Sequence, residues 1–488
     1  MTRDALNNRP PNRPQSPAGI LCGLFTAAVA LSATLGLFAA ERDFPSFESV
    51  KPVLETQREH LPAGLGNANE GRWLAWSRRE DKVIRARLDQ GDLDSAVNLL
   101  LYGTSFTSQP RIRMEALTEA SRAGILRARV DDLVAGVRNP GSNQRLIFLR
   151  QLLQKHGFEA DSPDGAKQTG VFLLDNLLRI VKERKVLAER AANAAKGAAQ
   201  RDAARPSGGS SDPASLLDRA SLFRDRGLSL DTGVFPDFVI EQTLRDLKNH
   251  GLLREGQVAR VAVIGPGLDF IDKNEDSAYD YYPPQTLQPF ALYDSLVRLG
   301  LAKAGSLSVS ILDISTRVIE HIGRARERAA NHEGYAIQLP RDIARPWPPD
   351  LIAYWKSLGD RVGKPIAPIH PPDIFPGLET RAVEIRPDVV LACKPADLDI
   401  ILQRLNLPPP ERFDLIVATN IFVYYDAFEQ ALALENAGAM LKTGGLLLTN
   451  DRLPAGPASA MRLEGATIVP FDSPGVATHE AVGWYEKQ

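Results

Sequence analysis

A glycine pair closing one apolar run, and an aspartate closing the next, are the residues whose spacing suits chemistry on a nucleotide. Gln257 to Phe270 reads QVARVAVIGPGLDF and Ser308 to Ser315 reads SVSILDIS. Val261, Val263 and Ile264 make a run short and apolar enough for a strand buried on both faces, and Gly265-Pro266-Gly267 then turns the chain. Glycine without a Cβ lets backbone approach a ligand closely, and a helix beyond the loop would present its N-terminal amides to negative charge. Ile311 and Leu312 deliver Asp313, with Ile314 beside it, to the carboxyl end of a second strand, where an acid accepts both hydroxyls of a ribose. Each signal has a plainer reading: a GxG is also a tight turn, and a strand-end aspartate is also a helix cap.

What positions these residues is an alternation of strands and helices. Phe413 to Ala418, FDLIVA, is a further buried strand, followed by Thr419-Asn420-Ile421-Phe422-Val423-Tyr424-Tyr425-Asp426. Phe428 to Leu441 has helical apolar spacing, Lys442-Thr443-Gly444-Gly445 closes it as a C-cap turn, and Leu446 to Thr449 is the next strand. Strand, helix, strand, helix is the order of a doubly wound parallel sheet, with ligands outside the carboxyl ends of the strands.

The series VAVIGPG, ILDIS, FDLIVATNIFVYYD and MLKTGGLLLTND resembles, in order, the motifs of class I S-adenosylmethionine-dependent methyltransferases across roughly the last half of the chain. FDLIVATNIFVYYD followed by LKTGGLLL resembles locally the chemotaxis-receptor carboxyl methyltransferases. The resemblance implies a Rossmann-like fold, S-adenosyl-L-methionine as cofactor, and a cofactor site of Gly265, Pro266, Gly267, Asp269, Asp313, Ile314, Asp397 and Asn420. Asp397 matches the position after the third strand, taken as the apolar run Val389 to Ala392, where the family often contacts adenine. The chain departs from the pattern at Val263, where the family carries an acid that contacts the methionine part of the cofactor, and at Asp269, where it carries a third glycine. Asp269 or Asp272 could supply the missing carboxylate. The step from Gly265 to Asp313 also exceeds the roughly 20 residues usual between loop and acid, because Ile271 to Gln285 stands before a helix at Thr286 to Leu301.

In-line methyl transfer depends mostly on positioning. Asn420, Tyr424 and Tyr425 would line the acceptor side. Asp426 or a tyrosine could take the proton of a hydroxyl or amine acceptor, whereas a carboxylate acceptor needs no base. In the insert, Tyr281 and Tyr282 either enclose the substrate or plug the sheet edge. Arg224 and Arg226 would face the methionine carboxylate or an acidic substrate, or are surface charge.

The whole chain of 488 residues, 44% hydrophobic and 24% charged, is long enough for two or three domains. A net charge of −2 gives no footprint for nucleic acid. Cys22 and Cys393 make no disulfide framework, and seven scattered histidines give no metal-ligand spacing. Residues 1–19 form a basic tail. Residues 20–40 carry no charge and match the roughly 20 apolar residues that cross a bilayer, which reads as an uncleaved membrane anchor or a cleaved signal peptide. The arginines before this stretch and the acids after it put the rest of the chain outside the cytoplasm, in conflict with a cytoplasmic cofactor.

Residues 44–190 read as a helical domain, with helices at Asp81–Leu88 and Leu93–Leu101 separated by a turn at Gly91-Asp92. Residues 191–213 read as a flexible linker and 214–488 as the Rossmann-like domain. Three functions stay open: an active methyltransferase with an unidentified acceptor, an inactive methyltransferase-like domain serving as a membrane-tethered binding module, and a nucleotide- or dinucleotide-dependent enzyme of related fold.

Overall fold

The computed structural model describes residues 42–113, 120–202, 228, 233–271, 278–473 and 476–488. The candidate anchor 20–40 and Asp272, Arg224 and Arg226 lie outside them. Among the described residues no helix is long and apolar enough to cross a membrane.

The N-terminal part is a layer of helices: α1 (Phe47–Thr56), α2 (Glu70–Tyr102), α3 (Ala120–Arg138), α4 (Gln144–Lys155) and α5 (Pro163–Asp202). Asn69 starts α2 by accepting the Arg72 N–H at 3.0 Å, and Asn143 starts α4 by accepting those of Arg145 and Leu146. The turn expected at Gly91-Asp92 is absent, because α2 runs through it unbroken. The glycine serves a close approach instead: a Cβ there would lie 2.1 Å from the carbonyl oxygen of Leu228, whose N–H donates to the Arg87 carbonyl at 3.3 Å. Punctuation in the sequence reflected tertiary contact, not a chain reversal. Helix α5 likewise continues to Asp202, into the stretch that composition reads as linker. Asp43 to Gln488 pack as one compact unit.

From Val234 the chain alternates α6 (Val234–Asn249), β1 (Arg260–Ile264), α7 (Gln288–Arg298), β2 (Ser308–Asp313) and α8 (Thr316–Ala330). A three-stranded antiparallel sheet follows, of order β3-β5-β4, from β3 (Tyr335–Asp342), β4 (Gly363–Ile366) and β5 (Leu378–Ile385), with α9 (Pro349–Ser357) between β3 and β4. Residues 347–373, rich in proline, thus contain α9 and β4. The main sheet resumes through α10 (Pro387–Ala392), β6 (Cys393–Asp397), β7 (Phe413–Ala418), α11 (Ala427–Met440), β8 (Leu441–Thr449), β9 (Met461–Ser473) and β10 (Val476–Lys487).

Its order is β9-β10-β8-β7-β1-β2-β6, parallel from β8 to β6 and closed by the antiparallel β9–β10 hairpin. Chain order reverses beside β1, between β2 and β7, which makes a switch point at the end of the strand bearing Gly265. Val263 pairs with Ile311 and Val417, all fully buried, and Ala262, Leu312 and Ile416 are equally buried on the other face. Each of the valine, leucine and isoleucine side chains contributes roughly 1.5–3 kcal/mol by leaving water. Val389 to Ala392, expected as the third strand, lies in α10 behind Pro387; the strand is Cys393–Asp397, and Asp397 is its last residue instead of following it.

Candidate functional site

Two cavities meet at Gly265, one of about 310 Å³ and one of about 60 Å³, at the carboxyl ends of β1 and β2. Gly265 and Gly267 have φ of 60° and 75°, and a Cβ on Gly265 would stand 2.2 Å from Ile421 Cδ1. The left-handed conformation therefore favours glycine at position 265, and any side chain there would also displace the end of Ile421.

The smaller cavity is lined by Gly267, Asp313, Ile314, Asp399, Tyr424 and Tyr425. Asp313 accepts the Ser315 N–H at 2.7 Å, and burial pushes its carboxyl up to about 7. Asp399 is fully buried; one oxygen accepts the Ile401 N–H at 3.0 Å, while Oδ2 has no hydrogen-bond partner among the described residues. Burial raises this carboxyl, too, to about 7. A buried acid without a donor is costly unless something supplies one. Asp397 stands beside Asp313 in the sheet register but is ion-paired at 2.8 Å with Arg85 of α2. Its neighbour Asp399, which the motif comparison passed over, is the acid that lines the cavity.

Helix α2 covers this side. Leu88 lines the smaller cavity, and Arg87 donates to the Tyr424 carbonyl at 3.1 Å and stacks over the Tyr425 ring at 5.6 Å. The space left suits only a few waters at roughly 15 Å³ each.

The larger cavity is lined by Asp269, Tyr279, Tyr282, Gln285, Trp347 and Asn420, among others. Tyr282 donates to Asp269 Oδ2 at 2.6 Å, so the carboxylate that replaces the third loop glycine faces this cavity with a phenol on it. Asn420 takes a left-handed φ of 61°, tolerable for asparagine, and is held by Asn450 through its N–H at 2.8 Å and its side-chain oxygen at 2.6 Å. Gln285 bonds both ways to the Gln338 backbone, at 2.8 and 2.7 Å, and fixes the cavity wall.

The expected site residues thus divide. Gly265, Gly267, Asp313, Ile314 and Tyr424 gather at the smaller cavity; Gly265, Pro266, Asp269, Tyr282 and Asn420 gather at the larger. Tyr281 is absent from both linings and bonds Thr380 Oγ1 at 2.6 Å. Asp426 caps α11: its carboxylate accepts the Glu429 N–H at 2.9 Å and Glu429 accepts that of Asp426 at 2.8 Å, a reciprocal box that occupies the side chain.

The helical layer supplies residues that motif reading missed. Arg145 is fully buried, and its guanidinium donates to the backbone carbonyls of Asp269, Phe270, Asp280 and Tyr282. Asp280 in turn accepts from the backbone N–H groups of Thr104 and Ser105. The tyrosine insert is therefore clamped at Asp280 by α4 and by the segment that follows α2, both far away in sequence, which no local pattern announces.

No protein-family model and no curated protein matches the sequence. Solved structures similar to it include TrmN from Thermus thermophilus, at 13% identity and TM-score 0.23 over 55% of this chain and 53% of that one. Others are the N-methyltransferase NodS from Bradyrhizobium japonicum WM9, at 14% identity and TM-score 0.24 over 51% and 94%, and MtNAS in complex with MTA and tNA, at 10% and 0.21 over 85% and 98%. The chain spans about half the length of TrmN. At these TM-scores the likeness is too loose to carry function from one protein to another.

Proposed function

We propose that the chain is an S-adenosylmethionine-dependent methyltransferase whose adenosine subsite is the smaller cavity and whose acceptor space is the larger. The observation that carries the reading is that Gly265, at the switch point, borders both cavities while Asp313 and Asp399 turn buried carboxyls to the smaller one. The cofactor would supply a transferable methyl and a positive sulfonium. In this reading Asp313 accepts the ribose hydroxyls, Asp399 Oδ2 accepts the adenine amine, and Gly265 and Gly267 let the backbone lie against the ligand. Asp269 faces the methionyl ammonium and replaces the acid that Val263 lacks. Asp397, paired with Arg85, holds the cover instead of the adenine.

Acceptor chemistry falls to the larger cavity, where Asp269 and Asp342 are the lining carboxylates and Asn420 and Thr419 offer hydrogen bonds. Burial and the nearby Asp269 carboxylate raise the Tyr282 phenol well above its ordinary value, so it acts as a donor and not as a base. Asp426 is committed to its helix cap. With Asp269 on the methionyl ammonium, proton removal from an amine or hydroxyl acceptor would then rest on Asp342, and a carboxylate acceptor would need none. Residues 20–40 would tether the domain to a membrane.

One observation favours the rival reading of an inactive binding module: the smaller cavity holds far less than a nucleoside, so α2 must shift before adenosine enters. Calorimetric titration of the full chain with S-adenosylmethionine, S-adenosylhomocysteine and NAD separates the readings. Binding of the first two supports the methyltransferase site. Binding of NAD alone points to a dinucleotide enzyme, and no binding leaves the inactive module.

A further inference from the structure

Behind the wall formed by Gln285 and Gln338 lies a third cavity, of about 290 Å³, which none of the chemistry above uses. His321, Arg324 and Arg328 of α8 line it, with Gln144 and Tyr335 opposite. Spacings of three and four residues put the three α8 side chains on one helix face. The Tyr335 hydroxyl accepts the Thr286 N–H at 2.8 Å and lies within hydrogen-bond distance of His321 Nε2, at 2.9 Å. When the hydroxyl donates that bond, the neutral imidazole carries its proton on Nδ1. Burial, then the neighbouring charges of Arg324, Arg328 and Arg317, push the His321 imidazolium down to about 4, so the ring donates without carrying charge.

The two guanidiniums are weakly neutralised. Arg324 meets Glu320 at 3.5 Å on the exposed side, and Arg328 has no ion pair among the described residues. Like charges four residues apart destabilise a helix by a few tenths of a kcal/mol, and an oxyanion between them reverses that sign. Two planar guanidinium forks, an imidazole N–H and the Gln144 amide offer more donors than one carboxylate accepts, and they surround a space that leaves room for an organic group.

We propose that this cavity binds a phosphate group, either free or as the monoester of a small molecule. Its wall is shared: Gln285 and Gln338 border both this cavity and the acceptor space, so an occupant would bear on the clamp that shapes the acceptor side. The proposal does not depend on the identity of the cofactor.

The test is calorimetric titration of the full chain with inorganic phosphate and with glycerol 3-phosphate, at constant ionic strength, with acetate as the control. The wild-type protein should bind phosphate or the ester and not acetate. R324A/R328A should weaken that binding at least tenfold while its melting temperature stays near wild type, since both arginines are exposed. R328K, which keeps the charge but loses the fork, should fall between. Tighter binding of the ester identifies a small-molecule monoester, and equal binding identifies free phosphate. Acetate binding as well as phosphate, no wild-type response to either phosphate probe, or an unaltered response in a folded R324A/R328A protein would each overturn the proposal. Titration of the same variant with S-adenosylmethionine should match wild type.

Discussion

Arg85 Nη1 lies 2.8 Å from Asp397 Oδ1, so a residue of the N-terminal helical layer holds the last residue of the strand beside Asp313. Both side chains are partly exposed, and such a pair contributes about 1 kcal/mol or less. A latch of that size is easily reversed by a ligand. With Arg87 on the Tyr424 carbonyl it keeps Leu88 against the smaller cavity. R85A should therefore ease displacement of α2 and tighten S-adenosylmethionine severalfold in calorimetry. Weaker binding by a folded R85A protein would mean that α2 builds the subsite instead of covering it.

Arg145 should matter most to stability. Its removal leaves four buried carbonyls of the loop and insert without their donor, and buried acceptors left unmade cost roughly 1–3 kcal/mol each, part of which water and relaxation recover. R145M keeps much of the apolar volume and should destabilise by roughly 3–5 kcal/mol in urea denaturation. A shift below about 1 kcal/mol would show that the carbonyls find other partners.

The doubly wound sheet was legible because buried parallel strands write themselves as unbroken β-branched runs: VAVI, ILD and FDLIVA all fall in β1, β2 and β7. The third strand was not, because Cys393–Asp397 contains lysine and proline at the sheet's edge while the apolar run before it is a short helix. With the strand ending at Asp397, the acid that reaches the cavity is Asp399, two residues further on. The contribution of α2 and α4 was hidden for another reason. Nothing in the local pattern around Arg85 and Arg145 announces partners as distant in sequence as Asp397 and Asp269.

Tyr281 and Tyr282 test the insert. Tyr282 is buried, sits beside Arg145 and holds Asp269, whereas Tyr281 bonds Thr380 away from either cavity. Y281A/Y282A should lower stability by roughly 3–5 kcal/mol through lost buried aromatic volume. Y282F removes only the hydroxyl from Asp269 and should change stability by about 1 kcal/mol; if Asp269 meets the methionyl ammonium, it should also alter S-adenosylmethionine affinity. An unchanged affinity in Y282F would detach Asp269 from the cofactor.

If residues 20–40 anchor the chain as proposed, its orientation is open to a direct measurement. A reporter at the C-terminus that fluoresces only in the cytoplasm should stay dark, with a periplasmic reporter active, if the arginines before residues 20–40 set the orientation. A fluorescent cytoplasmic fusion would reverse that assignment and place the chain where S-adenosylmethionine is made.

Asp313 and Asp399 give the site a pH signature whose sign is fixed. Burial raises both carboxyls from an ordinary value of 3.8 to about 7. Between those limits the folded chain retains protons that the unfolded chain releases, so stability from these groups is fully present below about pH 4, declines as pH rises, and is lost above about pH 7. Each pKa unit corresponds to about 1.4 kcal/mol, which makes the ceiling a few kcal/mol per group. D313N/D399N cannot titrate there, and groups common to both proteins, including the buried Asp237 carboxyl raised by the same cause, cancel in the comparison. The variant should therefore gain on wild type in urea midpoint from pH 5 to pH 8. Ligand binding should run the opposite way: ribose and adenine donors favour the ionised acids, so wild-type affinity for S-adenosylmethionine should rise over the same interval while that of the variant stays low and flat. Parallel stability curves, or a wild-type affinity independent of pH, would mean that the two acids are not the buried, ligand-facing pair that the smaller cavity presents.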